Sequence, residues 1–357
     1  MRHLFKVTVA AATLSTCLIT ANVAQAQDSN AAAKKAAPAP ILPVMCPGYK
    51  RGSTKIVGER TGKKVQRAFE AYNEDLIADA IQILVDIETS DTFDKAYVDR
   101  FVGNLLAAEK GRAKEAMTRL TASVSTKILN DREHADTLRL LGDLNLQEKE
   151  YKTAVKWYNS WMDFTCKEDP AIYTRMAQAF YELKQLANII SPADKAIALY
   201  AKEGKVNKNP YVLKLTSYYE RKDYRNTVKV AEELVRQFPD TARWWTQLGF
   251  FYMLVEDYKK ALSTFEIAYG EGFLTKASEL KAYAQLYSTL DVPNKATQIL
   301  EKYLASGLIE KTEANYSLLA NAHHSAKNHK SAAKFYAVAA NFDNNPELFR
   351  NWNGQSL

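Results

Sequence analysis

Apolar residues recur along most of this chain at helical spacing, and the arrangement itself repeats about every 34 to 38 residues. In "WTQLGFFYMLVEDYKKALSTFEIAY", Trp245, Leu248 and Tyr252 share one helical face, and Ala261 and Phe265 share a second beyond a short polar turn. Tyr211, Tyr218 and Tyr224 stand 34 residues before Trp245, Tyr252 and Tyr258. Leu141-Gly142 lead to Ala154 and Tyr158, Val102-Gly103 to Ala116 and Leu120, and Met176-Ala177 to Ala196 and Tyr200. Tyr287 precedes Ala296 and Leu300, Leu319-Ala320 precede Ala332 and Tyr336, and a weaker unit runs from Ala68 to Ala80 and Leu84. The pattern predicts eight helical hairpins. Pro170, Pro192, Pro210, Pro239, Pro293 and Pro346 fall at predicted helix starts or between helices, where a missing N–H costs least. "ANIISP" lengthens the turn of the fourth hairpin.

Residues 245–265 fill W-x₂-L-G-x₂-Y…A-x₃-F, the tetratricopeptide signature without its closing proline. The predicted fold is all-α: a superhelix of eight hairpins over residues 61–345, after a basic arm (27–60) and before a short capping tail (346–357). Gly249 and Ala261 are expected to let two helices approach closely, with Phe265 plugging the contact. The first helix of each tetratricopeptide pair lines the concave groove. In this register the groove-facing residues are Arg139, Asp143, Gln178, Tyr181, Tyr219, Arg243, Phe250, Met253, Asn321 and His324. Aromatic, methionine and polar groups together suit recognition of a protein segment. The same residue types also pack repeat cores, and of Trp244 and Trp245 only Trp244 is left free by this register.

The amino terminus bears on compartment. Arg2 and Lys6 precede the apolar run "VTVAAATLSTCLIT", too short to span a bilayer, and Ala24 and Ala26 complete an A-x-A site. An exported protein cleaved after Ala26, and so periplasmic, is expected; lipid attachment at Cys17 is the rival, with bulky Thr16 before the cysteine against it. Without the leader the formal net charge of +7 becomes +5. Residues 27–64 hold eight Lys/Arg against Asp28 and Glu59, so everything after residue 64 nets −1. The basic arm suits an anionic surface or acidic protein, or is simply solvated, and export argues against nucleic acid. Beyond the leader only Cys46 and Cys166 remain. In an oxidising compartment they either form one disulfide, pinning the arm to the third hairpin, or stay apart as two thiols.

Catalytic and metal-binding patterns are thin. "VGERTGKKV" (57–65) resembles a phosphate-binding loop, but three residues rather than four separate Gly58 from Gly62, and Lys64 replaces the magnesium-binding hydroxyl. His323, His324 and His329 are one, five and six apart, whereas helical ligand pairs need three or four; His323 and His329 fall where neighbouring repeats place packing tyrosines. No catalytic residue, cofactor or metal is expected.

"CPGYKRG…VGERTGKKVQRAFEAYNED", "FDKAYVDRFVGNLLAAEKG", "WMDFT", "KNPYVLKLTSYYERKDY" and "FYMLVEDYKKALSTFEIAYGEGFLTK" together resemble one family. It comprises the periplasmic tetratricopeptide proteins of marine γ-proteobacteria named as components of a TonB system, and the resemblance runs from Cys46 to about Phe349. It implies a non-enzymatic adaptor accessory to TonB-dependent outer-membrane transport of ferric siderophores and similar cargo, with TonB-complex components as partners. No family catalytic residues exist to carry over. A scaffold for cell-envelope or peptidoglycan assembly is the alternative. The glycines of 48–62 then read as an irregular lead-in, with Lys63-Lys64 in the first turn of the first helix.

Overall fold

The computed structural model describes residues 46–49 and 53–343. The leader, most of the basic arm, Pro346 and the tail from 346 lie outside them. The described residues form eight antiparallel hairpins and no strand. They are α1 (Glu59–Asn73) with α2 (Ile77–Val85), α3 (Thr92–Ala108) with α4 (Ala113–Val124), α5 (Asp131–Gln147) with α6 (Tyr151–Thr165), and α7 (Pro170–Glu182) with α8 (Ile190–Lys202). There follow α9 (Lys208–Glu220) with α10 (Tyr224–Gln237), α11 (Ala242–Leu254) with α12 (Tyr258–Gly270), α13 (Ala277–Thr289) with α14 (Pro293–Ala305), and α15 (Glu313–Ser325) with α16 (His329–Asp343). Odd-numbered helices are called A and even-numbered B. No described helix is long and apolar enough to cross a membrane.

The hairpins close by trading volume. Gly103, Gly142 and Gly249 occupy one position of their A helices, and a Cβ there would lie 2.6, 2.5 and 2.6 Å from Leu120, Tyr158 and Phe265 of the paired B helix. Ala68, Ala177, Ala284 and Ala320 hold that position in four other hairpins, all fully buried. The fifth hairpin exchanges the sizes, with Leu215 on the A helix and Ala231 on the B helix. Ala80, Ala116, Ala154, Ala261, Ala296 and Ala332 are likewise fully buried on B helices. Such a core is packed as a solid, so one large side chain per contact is all it admits.

Each A–B turn needs one residue in the left-handed region. Asp75, Lys149, Lys184, Lys222, Glu256, Asp291 and Lys327 have φ between 58° and 63°, and Gly111 serves the second hairpin at 84°. After α11, the Asp257 N–H donates to Tyr252 O and the Glu256 N–H to Met253 O, satisfying carbonyls that the helix end would orphan. Asp223 and Asp257 then cap α10 and α12, accepting from the backbone N–H groups of Asn226 and Lys260. The long turn of the fourth hairpin is a 3₁₀ segment, Leu186–Ile189, running directly into α8.

The lead-in crosses the edge where A helices begin. Cys46 and Cys166 are joined by a disulfide with Cα atoms 4.9 Å apart. The Tyr49 hydroxyl donates to Asp131 at 2.6 Å, and Lys55 N–H donates to the Asn130 side chain at 2.9 Å while Asn130 Nδ2 donates back to Lys55 O. Gly58 N–H donates to Asp94 Oδ1 at 3.0 Å. The lead-in is shorter than expected, because α1 begins at Glu59 rather than beyond Gly62. Gly62 N–H donates to Gly58 O at 2.7 Å and Lys63 pairs with Glu59 one turn back, so the helix runs through the glycine. The stretch that resembled a phosphate loop is therefore a helix start.

Candidate functional site

Curvature decides which face can hold a ligand. α7 touches α9, A helix against A helix, whereas no comparable contact joins consecutive B helices among the described residues. A helices therefore line the inner side of the stack. Along these helices, the residues one and four places after the small hairpin position form one register. This register contains Asp143, Gln178, Tyr181, Tyr219, Phe250, Met253, Asn321 and His324.

The structure spreads these residues over five hairpins in three chemically distinct stretches. Hairpins three and four are charged. Arg139 pairs with Asp169 at 2.9 Å, with its guanidinium 5.9 Å from the Trp161 ring. Asp143 accepts from the Tyr158 hydroxyl at 2.7 Å and lies 2.9 Å from Arg175 Nη1, an ion pair by distance but off the hydrogen-bond line. Burial, then the Asp143 charge, pushes the Tyr158 phenol up, so it remains a donor to the carboxylate. Gln178 is half-buried beside this pair.

Aromatic and apolar groups follow. Tyr181 packs on the small core of hairpin four, with Lys184 Nζ 4.7 Å from its ring centroid. Tyr219 meets Phe251 at 5.6 Å, and Phe250 stands edge-on to Phe265 at 5.3 Å. Met253 is half-buried against the same core. Arg243 is exposed over the Trp244 ring, 5.2 Å away. In hairpin eight, Asn321 and His324 are exposed; Asn321 accepts from the Tyr336 hydroxyl, and the His324 ring lies 5.5 Å from His329.

Two expectations are corrected. Trp244, rather than being free, is 6% exposed in the core, while half-buried Trp245 donates from Nε1 to Pro239 O at 2.7 Å. The indole N–H needs a partner and finds it at the turn, which leaves the deeper place to Trp244. His323 does pack: it is buried, with Nε2 3.0 Å from Glu301 Oε1 and its ring stacked on Phe335. His329 does not; it opens α16 in solvent, where its imidazole is shorter than the phenol of Tyr258 at the same place.

The His323–Glu301 contact belongs to a series. Tyr252 donates to Glu232 and Tyr287 to Glu266 at 2.8 Å, each from an A helix to the B helix of the preceding hairpin. These polar links lock the C-terminal junctions in register, a structural role that accounts for the one buried histidine of the cluster.

The inner register also contains residues that sequence reasoning missed. Phe69 and Tyr72, 52% and 41% exposed, stand one and four places after Ala68, and Phe69 meets Phe101 at 5.8 Å. Arg100 stands three places before Gly103, as Arg139 stands before Gly142, and lies 3.7 Å from Glu133. Carrying the register into the weakest first hairpin would have found Phe69 and Tyr72, and into the second, Arg100.

Among the described residues, no group of three His, Cys, Asp or Glu side chains is placed to hold a metal. A cleft of about 210 Å³, lined by Ile81, Val102, Leu106 and Arg119 among others, is smaller than the roughly 300–1,000 Å³ of small-molecule sites. The inner face offers hydrogen bonds, ion pairs and half-exposed rings, which is the chemistry of recognition.

No protein-family model and no curated protein sequence matches the chain. Among solved structures it is similar to Naa15/Naa10 bound to HypK-THB, at 13% identity and a TM-score of 0.54, over 79% of this chain and 42% of that one. The chain thus spans less than half of that protein's length. It is also similar to a tetratricopeptide repeat protein from Parabacteroides merdae (13% identity, TM-score 0.35, 84% of this chain and 99% of that one). A third likeness is to the C-terminal part of a TPR repeat-containing protein from Cytophaga hutchinsonii (12% identity, TM-score 0.44, 80% and 98%). Likeness at this level speaks for the fold alone; the eight stacked hairpins and the signature at residues 245–265 make it a tetratricopeptide solenoid.

Proposed function

We propose that this chain is a non-catalytic adaptor that holds a segment of a partner protein along its inner face, in the periplasm, as an accessory to TonB-dependent outer-membrane transport. The observation that carries the adaptor reading is the inner register. Phe69, Tyr72, Tyr181, Tyr219, Phe250 and Met253 recur at the same two helical positions and keep part of their surface open, although the hairpins are already closed by other residues. Half-exposed aromatics and methionine beside a charged stretch suit a segment with an apolar part and a charged part. The leader-like amino terminus and the Cys46–Cys166 disulfide support an oxidising compartment. The transport role rests on the family strings alone.

The test is photo-crosslinking in iron-starved cells from residues on the two sides of the stack. Crosslinkers at Tyr219 and Phe250 are expected to trap TonB, a motor subunit or an outer-membrane receptor, while one at exposed Thr121 on α4 does not. Trapping of envelope-assembly proteins from the inner positions, with normal siderophore uptake in a deletion strain, would overturn the transport role and favour the scaffold.

A further inference from the structure

The outer side of the stack carries a row of cations that the fold does not use. Lys152 on α6, Arg225 and Lys229 on α10, Lys259 on α12, Lys295 on α14 and Lys330 on α16 all lie in the first two turns of B helices. All six are exposed, and none makes an ion pair among the described residues. α8 interrupts the row, since its Lys195 lies 3.5 Å from Glu168. The body beyond residue 64 nets −1, so the row is a local concentration and not a reflection of overall charge.

Fold stability does not account for this placement. Cations near a helix N-terminus oppose the helix dipole, and acidic residues there favour it. The A helices α1, α3, α5, α13 and α15 follow that preference with acids in their first turns. α6, α10, α12, α14 and α16 have none. Asp223 and Asp257 cap two of them from the preceding position; Asp257 pairs with Lys260 at 3.6 Å and Asp223 feels the Lys229 charge, yet Arg225, Lys229 and Lys259 make no ion pair among the described residues.

We infer that this outer row is a docking surface for an extended, acidic segment of a partner polypeptide, separate from the inner face. Charge selects an acidic partner, and spacing selects its form. Among the described residues, consecutive B helices do not pack on each other, so they lie farther apart than the roughly 8–10 Å of packed neighbours. An extended chain advances about 3.3 Å per residue, so a segment with carboxylates every few residues can reach one B helix after another. A bilayer presents a plane, which a superhelical stack leaves after a few hairpins, whereas an extended polypeptide can follow the row.

The experiment measures fluorescence anisotropy of a labelled Glu-Gly-Ser repeat peptide with the chain from residue 27 onward. It is expected to bind at low salt and to weaken as salt is raised. The combined variant R225E/K229E/K259E/K295E should lose about tenfold or more in affinity, and its glutamine counterpart somewhat less. Both are checked for an unchanged helical melting curve. Because residues 27–64 are themselves basic, an arm variant (K34Q/K35Q/K50Q/R51Q) is the control and should bind normally. Loss of binding in the arm variant with retention in the row variants would overturn the proposal. So would failure of the peptide to bind while phosphatidylglycerol vesicles bind through the same row.

Discussion

Gly142 and Tyr158 share one space. A Cβ on Gly142 would lie 2.5 Å from Tyr158 Cε1, and the hydroxyl of that same tyrosine donates to Asp143, the residue after the glycine, at 2.7 Å. Closing the third hairpin and orienting a carboxylate on the inner face are thus one arrangement. Gly142→Ala should destabilise the protein by about 2 kcal/mol, overpacking outweighing the gain in helix propensity. Tyr158→Leu should cost a similar amount alone, through lost volume and the lost hydrogen bond. Urea unfolding of the double variant should show less than the sum, since Leu relieves the clash; strict additivity would mean that the two residues do not share the space.

The disulfide closes a span of 120 residues around the first three hairpins. Chain-entropy arguments give such a closure up to about 4–5 kcal/mol. Thermal melting with reductant should therefore lower Tm for the native chain, while Cys46→Ser/Cys166→Ser melts low with or without it. Equal Tm values in all four samples would show that Tyr49, Asn130 and Asp94 hold the lead-in by themselves.

Acid should weaken the same region through His134. This side chain is 3% exposed, its ring 4.5 Å from that of Phe164, with Nδ1 unpartnered. Burial, and then the Lys127 charge, hold its pKa down at about 4. The unfolded chain, titrating at about 6.5, takes up the proton first. His134's effect is therefore absent above pH about 6.5 and grows to a loss of up to about 3 kcal/mol as pH falls toward 4. Urea midpoints measured at neutral pH and near pH 4.5 should fall further for the native protein than for His134→Leu. Parallel losses would remove His134 as the cause.

Lys222 has φ 61°, in the left-handed region where a Cβ is strained. Lys222→Gly should raise stability by about 0.5–1 kcal/mol, the relief of strain exceeding the added entropy of the unfolded chain. Lys222→Val should lower it by about 1–2 kcal/mol. The two denaturation midpoints should move in opposite directions from the native value; a shared direction would mean that the turn changes conformation to suit its residue.

What the sequence determined by itself was local and periodic. Trp245 to Phe265, read with its copies, specifies eight hairpins, their helix order and a small residue at most closures, because helical spacing and close approach are written within about 30 neighbouring positions. The positions one and four places after that residue were legible for the same reason, though they were not carried into the first hairpin, where Phe69 and Tyr72 sit. The tertiary structure decided what depends on distant partners. It set Cys46 beside Cys166, gave the core to Trp244, and tied Arg139 to Asp169 and His323 to Glu301 across hairpin junctions. A side chain's helical position is fixed by its own turn of helix. Whether it is buried, paired or free depends on which neighbouring hairpin comes within a few ångströms of it, and only the packed stack determines that distance.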